Sequence, residues 1–223
     1  MITKLPRWVE YGSFILALIA GLVNSIGLLG FKHQSISHLS GIATLVGTGI
    51  INSELGDVFH LVVILLSFLL GAAISGFYIR GGALKLGRNY SSLLSLEAFF
   101  LLGSLYFLTK DFIYGHYLAS MACGLQNALV TTFSGAVVRT THVTGIFTDL
   151  GIMIGAKLRG ETFDKRKGLL FVLIISGFIL GATLGAYFFI HLKFNALYIP
   201  AGACLLLALT YSVYNAKFKN NKH

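Results

Sequence analysis

Two histidines in this chain stand in matching polar phrases. Ser37-His38-Leu39-Ser40-Gly41-Ile42 is answered 104 residues later by Thr141-His142-Val143-Thr144-Gly145-Ile146. Each phrase opens a short apolar stretch, Leu39 to Ile51 and Val143 to Ile154. A hydroxyl from Ser37 or Ser40, and from Thr141 or Thr144, is the natural N-cap of the helix that follows, because it accepts from the free N–H groups of the first turn. Those N–H groups and the positive end of the helix dipole then face whatever lies beyond the cap. With an imidazole directly ahead of each helix, the chemistry on offer is capture of a small polar or anionic solute. The plainer reading is a hydrogen-bonded structural histidine, and repeat-related placement weighs against it.

Other polar residues cluster around these phrases. Arg139 has no basic counterpart in the first half, where Gln34 or Ser35 stands; it holds an anion or snorkels to the surface. Asp149 lies one turn inside the second short stretch, opposite Leu45, and Glu97 sits in a long apolar run. Carboxylates at such depth point to an ion or proton path, or to a static pair such as Asp149 with Arg139 or His142. Asn24 and Asn127, with Gln126, either brace broken backbone or line the pathway, and His60 and His116 read as interfacial. The expected solute contacts are therefore Asn24, His38, Ser40, Gly41, Asn127, Arg139, His142, Thr144, Gly145 and Asp149.

The elements that must position them are membrane helices. With 56% hydrophobic and 11% charged residues and a mean hydropathy of +0.80, the 223-residue chain has too little charge to cover a soluble surface. Runs of spanning length lie at Tyr11 to Gly30, Val58 to Ile79, Leu93 to Leu108, Ile113 to Phe133, Leu169 to Ile190 and Ala196 to Tyr214. The two stretches behind the histidines are too short to cross and read as broken or re-entrant helices. Tyr11, Gly12, Gly21, Leu22 and Asn24 recur 103 residues on as Tyr114, Gly115, Gly124, Leu125 and Asn127; Thr44 and Gly47 recur as Thr148 and Gly151. The expectation is a single all-α polytopic membrane domain over 1–223, built from repeats at about 1–110 and 111–223. Three spans per repeat is an odd number, so the repeats are expected to be inverted.

Charge agrees with that topology. With six spans, Lys4, Arg7, Arg80, Lys85, Arg88, Arg139, Lys157, Arg159, Lys165, Arg166, Lys167, Lys217, Lys219 and Lys222 fall on one side, against Lys32, Lys110 and Lys193. By the positive-inside rule both termini are cytoplasmic, and the net charge of +9 reflects topology, with no nucleic-acid partner. Stripes of small residues at Ser67, Gly71 and Ser75, and at Gly177, Gly181 and Gly185, read as close-packing faces, as do Gly12, Gly21, Gly115 and Gly124. Cys123 and Cys204 sit in apolar runs and act as small hydrophobes; no metal or cofactor is expected.

Through Gly124-Leu125-Gln126-Asn127-Ala128 and Arg139-Thr140-Thr141-His142-Val143-Thr144-Gly145, the chain resembles the YoaK family of small bacterial integral membrane proteins, a domain of unknown function. The resemblance covers nearly the whole chain. Where the family has Thr-Gly-Asn in its first half this sequence has Ser40-Gly41-Ile42, so no role for that asparagine carries over. The resemblance implies a bacterial cytoplasmic (inner) membrane setting and a permease role, with the lipid bilayer and a small solute as partners and a homo-oligomer compatible with it. The leading expectation is a channel or secondary transporter. A rival is an intramembrane enzyme using Ser37 or Thr141, a histidine and Asp149 or Glu97, or a metal held by the histidines. It lacks any HExxH or GxSxG signature, and a duplicated motif suits a two-sided path better than a polarised catalytic site. A non-transporting structural or regulatory subunit is the third class, so the protein is not expected to be an enzyme.

Overall fold

The computed structural model describes residues 8–30, 36–52, 55–79, 89–133 and 139–220, and the described part consists of helices and the turns between them. In chain order the helices are α1 (Trp8–Gly30), α2 (Leu39–Ile51), α3 (Leu55–Tyr78), α4 (Asn89–Leu108), α5 (Tyr114–Phe133), α6 (Val143–Leu158), α7 (Lys165–Leu192) and α8 (Tyr198–Asn220). A 3₁₀ turn, Lys193–Leu197, joins the last two. Every helical segment expected from the sequence is present, and α2 has the bounds expected for it. Gln34, Ser35, Lys32 and the basic residues Lys4, Arg7, Arg80, Lys85, Arg88 and Lys222 lie outside the described residues.

The outer surface is apolar: Leu69, Phe99 and Leu206 are each more than 60% exposed. A soluble fold does not spread such side chains over its surface, whereas lipid accepts them. Four helical stretches are long and apolar enough to cross a membrane: Val9–Gly30, Leu55–Tyr78, Asn89–Leu108 and Lys165–Ala216, the last comprising α7, the turn and α8. Helix α5 has the length but not the hydropathy, because its inward faces carry Ser120, Gln126 and Asn127. It packs against α1, α3 and α4.

The long helices pair across the two halves of the chain. Gly177, Gly181 and Gly185 of α7 meet the backbone of Phe14, Leu18 and Leu22 of α1, so the two helices advance in the same direction. Where both begin, Arg166 Nε donates to Glu10 Oε1 at 2.6 Å. In α3 and α5 the same arrangement recurs: Gly71 meets the Met121 carbonyl, Gly124 meets that of Phe68, and Ser120 Oγ donates to the Ile64 carbonyl at 3.0 Å. At these glycines a Cβ would fall on the neighbouring backbone, so only glycine permits the approach. Gly12 departs from the expected packing role, since nothing lies within 4 Å of a Cβ there.

Helix α4 runs opposite to both its partners. Ser104 Oγ donates to the Gly115 carbonyl of α5 at 2.8 Å, and the rings of Tyr90 and Tyr211 on α8 lie 5.1 Å apart. The end of α1 at Gly30 packs on Phe194 in the 3₁₀ turn. Thus α1, α4 and α7 point one way and α3, α5 and α8 the other. The α4–α5 turn places Asp111 at φ 58°, and the α7–α8 turn places Lys193 at φ 51°.

Candidate functional site

Both histidine phrases reach one cavity of about 610 Å³ in the bundle. Repeat-equivalent residues line it in pairs: Ser37 and Thr141, His38 and His142, Ser40 and Thr144. The floor and walls come from Phe68 and Ala72 of α3 and from the latter half of α5, including Asn127 and Thr131. Arg139 completes the lining.

The helix starts differ from the sequence expectation. His38 and His142 themselves are the N-cap residues, and neither makes a side-chain cap hydrogen bond. Serine and threonine hydroxyls flank the caps but bond elsewhere or face the cavity, so the first-turn N–H groups of α2 and α6 have no side-chain acceptor at the cap. Instead each imidazole folds back over the glycine three residues on. A Cβ on Gly41 would fall on the His38 ring, and one on Gly145 on the His142 ring. The duplicated His-x-x-Gly spacing is therefore a seat for the ring. Thr44 Oγ1 donates back to the Ser40 carbonyl at 2.9 Å and Thr148 Oγ1 to that of Thr144 at 3.0 Å, so the repeated threonines also share one local job.

Asparagines at equivalent positions are not used equally. Ser37 Oγ donates to Asn24 Oδ1 at 2.5 Å, which ties the first break to α1 and keeps Asn24 out of the cavity lining. Asn127 lines the cavity, and its Oδ1 is buried without a hydrogen-bond partner. Gln126 Nε2 donates to the Leu16 carbonyl at 3.4 Å, and its Oε1 accepts from Thr140 Oγ1 at 3.5 Å. That residue braces the second break against α1.

Arg139 makes no ion pair among the described residues, and none of the cavity lining is acidic. Asp149 is on the exposed face of α6, away from the cavity, and forms no pair with Arg139 or His142. Of the expected contacts, then, His38, Ser40, Asn127, Arg139, His142 and Thr144 come together; Gly41 and Gly145 support the rings; Asn24 and Asp149 stand apart.

His60 and His116 are half-buried and linked. His116 Nδ1 lies 3.1 Å from His60 Nε2, and His60 Nδ1 lies 2.9 Å from the Tyr117 hydroxyl. The sequence carried no signal for that pairing, because the residues sit 56 positions apart with no shared motif. No group of three metal-ligating side chains occurs among the described residues.

A family model described as "Protein of unknown function (DUF1275)" matches residues 12–210, in keeping with the YoaK resemblance, since YoaK proteins fall in that family. No curated protein and no solved structure matches the chain.

Proposed function

We propose, starting from the fact that the chain belongs to the DUF1275 family, that this membrane protein is a channel or secondary transporter for a small polar or anionic solute. In this reading six helices span the bacterial inner membrane, α2 and α6 are re-entrant, and the halves are inverted repeats with both termini cytoplasmic. Support comes from helix direction: α1, α3 and α4 alternate, and their counterparts α5, α7 and α8 alternate in the opposite sense. It comes also from the way the two breaks approach. The break before α2 leaves the end of α1 packed on the α7–α8 turn, and the break before α6 leaves α5 at the other end, yet both line one cavity.

The single observation that carries the reading is that cavity, with two helix starts and Arg139 around it and no carboxylate among its described lining residues. Non-helical backbone at membrane depth persists only where protein or water satisfies it, and a wet space between opposed helix starts is a solute site. No catalytic chemistry is assigned to it. The test is a liposome flux screen of purified protein over small anions (chloride, nitrate, formate, phosphate) and neutral polar solutes (urea, glycerol). Flux of at least one solute, altered in His142→Ala with the protein still folded, is expected. Impermeability to the whole panel would sink the proposal.

A further inference from the structure

Away from the cavity, one acidic side chain is buried in the core. Glu97 of α4 is 2% exposed, and its Oε2 has no hydrogen-bond partner. The other described carboxylates are exposed or, like Glu10, paired with a cation. Around Glu97 stand Cys204 of α8, whose thiol is beside its carboxyl, Cys123 of α5, and Tyr90 on its own helix. No cation is among its neighbours in the described residues. A bare carboxylate in such a place is strongly disfavoured, and a lone buried carboxyl inside a membrane bundle is neutralised most simply by a proton.

An open groove lies close by, within one helical turn of Glu97 along the chain. A groove of about 320 Å³ runs between α1, α4 and α8, with the hydroxyl-bearing Tyr90, Thr210, Tyr211 and Tyr214 along it. Its inner residues Leu94 and Leu207 lie three positions from Glu97 and Cys204 respectively, less than one helical turn. Tyr214, 51% exposed, marks the outer end beside Gly12 and so beside the start of α1.

We propose that Glu97 is a proton-binding site, loaded and emptied through the groove between α1, α4 and α8. On release the Oε2–H bond breaks, its electron pair stays on the carboxylate, and the proton passes to water in the groove. The Cys204 thiol beside it is the donor available to the carboxylate left behind; the reverse steps reload it. The other titratable groups facing this site are Cys123 from α5, Tyr90 on α4 and Tyr211 on α8. Cys123 is four residues before Asn127 on α5, so occupancy of Glu97 bears on one wall of the cavity. That last link rests on the transport reading; the proton site does not.

The test is infrared difference spectroscopy on the full chain in lipid nanodiscs, with buffer pH stepped and H₂O exchanged for D₂O. A carboxylic C=O band that shifts in D₂O, titrates reversibly as pH rises and is lost in Glu97→Gln is expected. Tyr90→Phe keeps the band but slows its exchange, and Glu97→Asp moves the band without abolishing it, which assigns the band even where the glutamine variant folds poorly. A Glu97 band that neither exchanges nor titrates, or no band assignable to this residue, overturns the proposal. The readout needs no transported solute. A missing band removes the proton site and leaves the transport reading standing, whereas a titrating band with no flux in liposomes does the opposite.

Discussion

Gly145→Ala separates a cavity role for His142 from a purely structural one. A methyl at this position would stand where the His142 ring now rests. The ring is on an exposed residue and can turn away, at about 0.5–1.5 kcal/mol for a poorer rotamer. In compensation alanine is favoured over glycine within a helix by up to ~1 kcal/mol. The two terms nearly cancel, so stability should change by less than about 1 kcal/mol, or ~2–4 °C in Tm for a chain of this size. What changes is the imidazole, which leaves its seat on the helix for the space around Arg139 and Asn127. Thermal unfolding in detergent should therefore show a near-native midpoint while liposome flux is clearly altered. Gly151→Ala is the control, since it lies on the same helix with nothing within 4 Å of the new methyl, and its flux should stay native. Equal, native flux in both variants would refute the reasoning, because the ring would then have moved without consequence.

Three further outcomes follow from the geometry. Gly181→Ala drives a methyl onto the Leu18 backbone, which cannot rotate away, so the α1–α7 seam should lose about 1–3 kcal/mol; an unchanged unfolding midpoint would contradict the packing account. Ser37→Ala removes the donor to Asn24 Oδ1 and should cost about 1–3 kcal/mol. Thr141→Ala, at the equivalent position but with no such bond, should stay within ~0.5 kcal/mol, and equal losses in matched melts would erase the asymmetry. Arg139→Gln deletes the only basic side chain other than histidine among the described residues of the cavity; loss of a charge-assisted hydrogen bond worth ~1.5–3 kcal/mol predicts about 10- to 100-fold weaker anion competition in the flux assay. Undiminished competition would place Arg139 outside the solute path.

Much of the architecture is legible in the sequence because it is written in contrast. Polar phrases such as His38-Leu39-Ser40-Gly41 stand out in an apolar chain, and their recurrence at 142–145 marks where both short helices start. The small-residue stripes announce close helix contacts, but their partners are out of reach of sequence. Gly181 packs on α1 and Gly71 on α5, each in the other half, and nothing in a stripe names the surface that fills it. The apolar run Ile113 to Phe133 reads as one span among six, whereas the Gln126 and Ser120 side chains of α5 are spent on bonds to Leu16 and Ile64, the mark of a helix packed among others. Propensity also assigns the caps to serine and threonine. Tertiary structure overrides it, because a glycine three residues on gives the imidazole a seat and leaves the hydroxyls free for other partners.

The part that sequence could not carry at all is the inequality of the two halves. Asn24 with Ser37 and Asn127 with Thr141 are the same pair of functional groups at matched positions, yet one hydrogen bond is made and the other is not. Gly12 and Gly115 are likewise equivalent, and one faces an open groove while the other is pressed against Leu108 and Ser104. Part of the second difference is covalent: a short turn closes α4 onto α5, whereas α1 and α8 are joined by no such link. The first also has a covalent difference behind it, since 13 positions separate Asn24 from Ser37 whereas 14 separate Asn127 from Thr141. An unmade bond between groups that are bonded in the sister copy is a small local energy difference, of about 1 kcal/mol for a typical hydrogen bond. That is low enough for a bound solute or a change at Cys123, one turn from Asn127, to reverse it, and the matched Ser37 and Thr141 variants measure it directly.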